Sequence, residues 1–278
     1  RREIASVSDI FQVRKNREKA DVAVLFSYPT LRANNDRMDG YLQGISAMRF
    51  LPIPVDAVLE EQLPENRLDR YKVLLAFDVK NVDPATTAAL RKFVRNGGLL
   101  IANGAMMSCD EYDFPLPDPL LPLTLKQESG NMERDPKTGI PFKNDFSLTL
   151  GKAPWKVLAR FGNQVRIASL DLGKGKIIAV AGKYTDYGIA EVIRPYLKEA
   201  GISPNVTLRW SDREERPSGV TVYRFHCGAL TGWAFVNFND LPVLTRASAP
   251  EFKGAALVDP IGKKSWPVRG DTSVLLLP

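Results

Sequence analysis

The chain has 278 residues, 44% of them hydrophobic, enough for a sizeable core and, at about 100 to 200 residues per domain, for about two domains. No run approaches the roughly 20 apolar residues of a membrane-spanning helix, and Lys and Arg are interspersed with Asp and Glu, so the net charge of +6 describes a mixed solvated surface rather than a nucleic-acid footprint. Two cysteines, Cys109 and Cys227, are too few for a disulfide framework and lack the spacing of a zinc site, which leaves the redox compartment open.

The opening residues run in helical rhythm through Ile4, Val7, Ile10, Phe11 and Val13 and carry no initiating methionine. Arg1 is therefore expected not to be the natural start. Any targeting signal is expected upstream of it, which leaves the compartment open with the cytoplasm as the default. Residues 21–27, DVAVLFS, form an apolar run of strand length, as a parallel strand covered on both faces requires. Residues 36–50 read as a helix with Met38, Tyr41, Leu42, Ile45 and Met48 on one side, ended by Pro52, and residues 53–55 as a short second strand. The run 71–77 repeats the buried-strand pattern. Asp83 and Pro84 then open a helix as N-cap and first-turn proline, Leu90, Phe93 and Val94 supply its apolar face, and Gly97 closes it as a left-handed cap. Residues 99–102 form the next strand. Strands alternating with helices imply right-handed βαβ units and hence an α/β fold with a doubly wound parallel sheet.

From 110 to 154 the pattern dissolves into prolines, charges and single apolar residues, which reads as an elaborated insertion or a partner-facing arm. Regular structure returns at 155–161, 165–170 and 176–181, and Gly201 stops a last helix over 189–199. Beyond Pro204 the period changes to short alternating strands at 206–210, 220–225, 232–238, 255–259, 264–268 and 272–277, the pattern of a small antiparallel β-sandwich. Two domains are expected, an α/β domain over 1–203 and a β-sandwich over 204–278.

Strand 99–102 leads into a sharp polar turn, the layout that holds up a nucleophile in many α/β enzymes, and Cys109 lies just beyond it. The tip falls at Asn103, Gly104 and Ala105, where no Ser, Cys or Thr stands. The single histidine, His226, belongs to the other predicted domain, so Cys109 lacks a base. His226 beside Cys227 supplies too few ligands for a metal, and Gly173-Lys174-Gly175 lacks phosphate-loop spacing, so neither metal nor cofactor is expected. Asn103, Asp110 and Glu111 are the binding candidates, because they follow the carboxyl end of a parallel strand, where open α/β sheets take ligands. Trp155, Trp210, Trp233 and Trp266 could stack on sugar rings, although isolated tryptophans in strands are usually core.

Residues 21–27, 60–63 (EEQL), 68–76 (LDRYKVLLA) and 93–102 (FVRNGGLLIA) together resemble the trimerisation domain of glycoside hydrolase family 42 β-galactosidases. That domain is flavodoxin-like and similar to class I glutamine amidotransferases, with the catalytic cysteine lost. The likeness spans about residues 1–200, is clearest from 22 to 110 and thins over 115–154. Residues 206–278, with 233–238 (WAFVNF) and 256–260 (ALVDP), resemble the small C-terminal β-domain of such enzymes. In that family the two catalytic glutamates belong to a TIM barrel that would precede this chain, so the resemblance implies an accessory region with no catalytic residue to carry across. It implies an upstream barrel as partner, a homo-oligomer in the form of a trimer, and carbohydrate substrate met only indirectly. Neither nucleic acid nor membrane is an expected partner. Two other readings stay open: an independent amidotransferase-like enzyme, akin to the trehalose-utilisation proteins, built around Asn103, Asp110 and Glu111, and a sugar-binding module on the β-sandwich, which needs two or more tryptophans exposed on one face.

Overall fold

The computed structural model describes residues 19–33, 38–65, 67–135, 139–213, 217, 220–227, 230–237, 239–253, 257–259 and 264–277. The helix expected over 4–13 lies outside the described residues. Residues 20–48 and 55–202 form one compact unit; Lys19, residues 49–54 and those described from 203 onward form another.

In chain order the elements up to residue 202 are β1 (Val22–Phe26), α1 (Tyr28–Ala33), α2 (Asp39–Phe50), β2 (Val55–Leu59), a 3-10 turn (Glu60–Glu65), β3 (Val73–Phe77), α3 (Pro84–Arg95), β4 (Leu99–Asn103), β5 (Leu123–Arg134), β6 (Pro141–Leu150), β7 (Lys156–Phe161), β8 (Gln164–Leu172), β9 (Gly175–Val180), β10 (Lys183–Tyr184) and α4 (Asp186–Glu199). Five strands pair in parallel in the order β2-β1-β3-β4-β9. Every residue of β3 and β4 is buried, and the unbroken apolar runs that announced them are what a strand covered on both faces needs. Alternate side chains serve opposite faces. Ala23, Leu25, Leu74, Ala76, Leu100 and Ala102 share one core cluster with Leu90, Phe93 and Val94 of α3, whereas Val24 meets Gly44 of α2 on the other side. Each such buried Leu, Val or Phe contributes about 1.5–3 kcal/mol. The helix α3 starts as expected, with Asp83 accepting the Thr86 N–H at 2.5 Å and Pro84 in the first turn, and Gly97 leaves it at φ +117.

Outward from β9 the sheet turns antiparallel through β8, β6 and β10, with β5 on β6 and β7 on β8, so this ten-stranded sheet is mixed rather than wholly parallel. The tight turn at Gly173, φ +64, leaves no room for a crossover between β8 and β9 and forces the antiparallel pair. Within the segment read as an insertion, β5 and β6 form a hairpin. Its period is hard to read because few of its side chains, among them Leu123, Phe142 and Leu148, are buried apolar residues. The second strand starts at Val55 rather than 53, since Pro52 and Pro54 offer no N–H to a ladder. The last helix starts a turn earlier than expected, at Asp186, because the Thr185 Oγ1 accepts the Gly188 N–H at 3.1 Å.

The other unit contains β11 (Thr207–Trp210), β12 (Val220–Cys227), β13 (Leu230–Asn237), β14 (Val243–Ser248), β15 (Leu257–Asp259), β16 (Lys264–Trp266), β17 (Val268–Arg269) and β18 (Thr272–Leu277). Four of these make an antiparallel sheet in the order β11-β14-β18-β17, while β12 with β13 and β15 with β16 pair as hairpins. Leu208, Val222, Val243, Phe252 and Leu275 share its core, with Trp210, Trp233 and Trp266 packed against them. The strand β14 escapes sequence reading because its inward residues Val243, Thr245 and Ala247 include one polar and one small side chain, which hides the alternation. Trp233 sits edge-on to Phe252 at 4.9 Å, and all four tryptophans are half-buried.

Candidate functional site

In a sheet ordered β2-β1-β3-β4, the connection after β1 runs to β2 on one side and the connection after β3 runs to β4 on the other, and a crevice opens at the carboxyl ends of β1 and β3. A cleft of about 440 Å³ lies there, lined by Phe26, Ser27 and Thr30 after β1, by Met38, Asp39 and Tyr41 at the start of α2, and by Asp78 and Lys80 after β3. A second lobe of about 320 Å³ shares Asp39, Gly40, Asp78, Ala105 and Lys183 with it and extends to Asn103, Phe146 and Tyr184.

Asp78 stands where the lobes meet. Its φ of +54 is a left-handed conformation that costs a non-glycine residue about 1–3 kcal/mol and persists only where the surroundings hold it. Its N–H donates to the Asn103 carbonyl at 2.7 Å, and the Ala105 N–H bonds its carboxylate. Two glycines allow the approach. A Cβ on Gly104 would fall 2.2 Å from Asp78 Oδ1, and one on Gly40 would fall 2.2 Å from the Phe77 carbonyl oxygen. Burial pushes the Asp78 pKa up; Lys183 and the Ala105 N–H pull it back, and the charges of Asp39 and Asp145 push it further.

Lys183 is positioned from behind. Its N–H donates to Asp145 Oδ1 at 3.3 Å, and the residues before it are tied to Arg166. That guanidinium is only 2% exposed; it donates to Asn144 Oδ1 at 3.0 Å, to the Ala181 carbonyl at 2.5 Å and to the Phe146 carbonyl, and lies 4.4 Å from the Phe142 ring centroid.

Of the residues singled out in the sequence, Asn103 lines the cleft. Its Nδ2 donates to the carbonyls of Val180 and Gly182 at 3.0 and 3.1 Å, which leaves Oδ1 without a donor among the described residues. Asp110 caps a turn instead, its Oδ1 accepting the N–H groups of Tyr112 and Phe114, both at 2.9 Å. Glu111 is exposed and lines neither lobe. Cys109 bridges Asn81 and Pro115 through its backbone, beside the 2.6 Å ion pair of Lys80 and Asp113. His226 falls on β12 in the other unit, and its side chain lies outside the described residues. Sequence reading missed Asp39, Asp78 and Lys183. The signal for Asp78 was present: an aspartate directly after the apolar run of β3, at the strand end where such sheets take ligands. The cleft can exchange hydrogen bonds and charge with a small molecule, and among the described residues no group of three or more His, Cys, Asp and Glu could hold a metal.

Glu60, after β2, is 1% exposed, accepts the Asp83 N–H at 3.0 Å and leaves Oε2 without a partner. Burial raises its pKa above the ordinary 4.5, against the lowering effect of the nearby Ser27 hydroxyl and of the hydrogen bond from the Asp83 N–H. A raised folded pKa means stability that is present below the unfolded value and lost as pH rises through the folded one. Glu60→Gln should therefore match the wild type near pH 4 and exceed its stability at pH 8 by about 1 kcal/mol, the scale of one buried hydrogen bond. Urea unfolding at both pH values reads this; an equal difference at both would mean that Glu60 does not titrate.

No protein-family model matches the sequence, and no curated protein matches it. Solved structures do. A catalytic mutant of Gan42B, a GH42 β-galactosidase from G. stearothermophilus, superposes with a TM-score of 0.70 at 16% identity, over 98% of this chain and 42% of that one. The β-galactosidase of Bacillus circulans sp. alkalophilus gives 0.72 at 17%, over 100% and 44%. That of Rahnella sp. R3 gives 0.71 at 18%, over 99% and 44%. In fold, the chain resembles the C-terminal part of GH42 β-galactosidases. It spans about two-fifths of the length of these enzymes.

Proposed function

We propose that the chain is the non-catalytic C-terminal region of a β-galactosidase-like glycoside hydrolase. Its α/β unit, read as a flavodoxin-like, amidotransferase-like trimerisation domain, serves subunit assembly and helps to shape an active site housed in an upstream TIM barrel. The observation that carries this reading is the likeness in fold over nearly the whole chain to only part of each enzyme. It is supported by Cys109, which has no histidine in its own unit to act as a base.

The isolated chain is expected to self-associate and to leave aryl β-galactosides intact. Light scattering should give three times the chain mass, and a chromogenic galactoside should show no turnover above background. A monomer at tens of micromolar, or turnover that survives purification, overturns the reading. The cleft at the ends of β1 and β3 favours a second reading, an independent amidotransferase-like enzyme, and turnover abolished by Asp78→Asn would select it.

A further inference from the structure

We propose that the two-lobed cleft between α2 and the carboxyl ends of β1, β3 and β4 binds a neutral polyhydroxylated ligand of monosaccharide size. Its lobes, about 440 and 320 Å³, fall within the roughly 300–1,000 Å³ of small-molecule sites. In the second lobe acceptors outnumber donors, with Asp39, Asp78 and Asn103 Oδ1 facing one ammonium, Lys183, while Lys80 of the first lobe is paired with Asp113. Asn103 is 5% exposed, and its amide orientation is fixed by the carbonyls of Val180 and Gly182, so its free acceptor is held in place for a donor from outside the protein.

Charge narrows the class. An anionic ligand meets two aspartates, and an amine meets Lys183 in a cleft where burial already disfavours the ionised form of Asp78. A hydroxyl both donates and accepts, so one ligand satisfies both kinds of group. Phe26 and Tyr41, ring centroids 5.2 Å apart and edge to face, supply an apolar wall for the C–H face of a ring.

The test is a titration of the full chain with D-galactose, D-glucose and myo-inositol, followed through the backbone amide resonances of Gly40, Gly104 and Ala105. At least one of the three should shift these amides with a millimolar Kd. Asp39→Asn and Lys183→Gln, both at exposed positions, should each weaken binding about tenfold without changing Tm. No shift with any of the three, stronger shifts with putrescine than with the polyols, or undiminished binding by both variants overturns the proposal. The site does not depend on assembly: a trimer that binds no polyol refutes this inference alone, and a monomer that binds one refutes the assembly reading alone.

Discussion

Changing Gly182 to alanine is expected to destabilise the chain by about 4 kcal/mol and to lower its Tm by roughly 10 °C. Two effects add. The φ of +92 is a left-handed conformation that costs a side-chain-bearing residue about 1–3 kcal/mol. The added Cβ would also fall 1.6 Å from Arg166 Nη2. A collision with the tip of a long side chain is usually cheap, because the tip swings aside. Here the guanidinium is buried, and moving it would take donors from the Ala181 and Phe146 carbonyls and from Asn144, at about 1–3 kcal/mol for each group left unpaired. Gly162, at φ +56 with nothing within 4 Å of an added Cβ, isolates the backbone effect, and its alanine variant should lose only about 1 kcal/mol. Calorimetry on both variants checks the difference. Equal losses would mean that Arg166 is free to move.

Arg166 also marks the limit of sequence reading. In Val165-Arg166-Ile167 an arginine between apolar residues looks like the solvent side of an alternating strand, yet it is among the most buried side chains of the unit. What was legible was local: the apolar runs of β1, β3, β4 and β9, the Asp83-Pro84 start of α3, and the glycines that end helices. Each follows from periodicity or from a backbone conformation that few residues adopt. The hairpin of β5 and β6 was not legible, because it buries too few apolar residues to impose a period. The cleft was legible only at Asn103. Its other polar groups, Asp39, Asp78 and Lys183, come from three distant segments that the crossovers of the sheet bring together, and no window of sequence holds them side by side.

Gly40→Ala tests how that cleft is built. Alanine normally stabilises a helical position by about 1 kcal/mol relative to glycine, so an open site would gain. At Gly40 the expected result is a net loss of about 2 kcal/mol, because overpacking costs up to about 3 kcal/mol and the atoms in the way are the Phe77 carbonyl oxygen at 2.2 Å and Asp78 Cβ at 2.5 Å. Phe77 cannot yield, since β3 is paired through it to Asn103 of β4. The start of α2 must give way instead, and it carries Asp39 away from Asp78. Stability and polyol binding should therefore fall together in Gly40→Ala, whereas Asp39→Asn should change binding alone. Urea midpoints and the amide titration read the two quantities separately. A Gly40→Ala variant as stable as the wild type would mean that α2 does not press on the end of β3, and the narrow waist that brings Asp39 and Asp78 to one ligand would not exist.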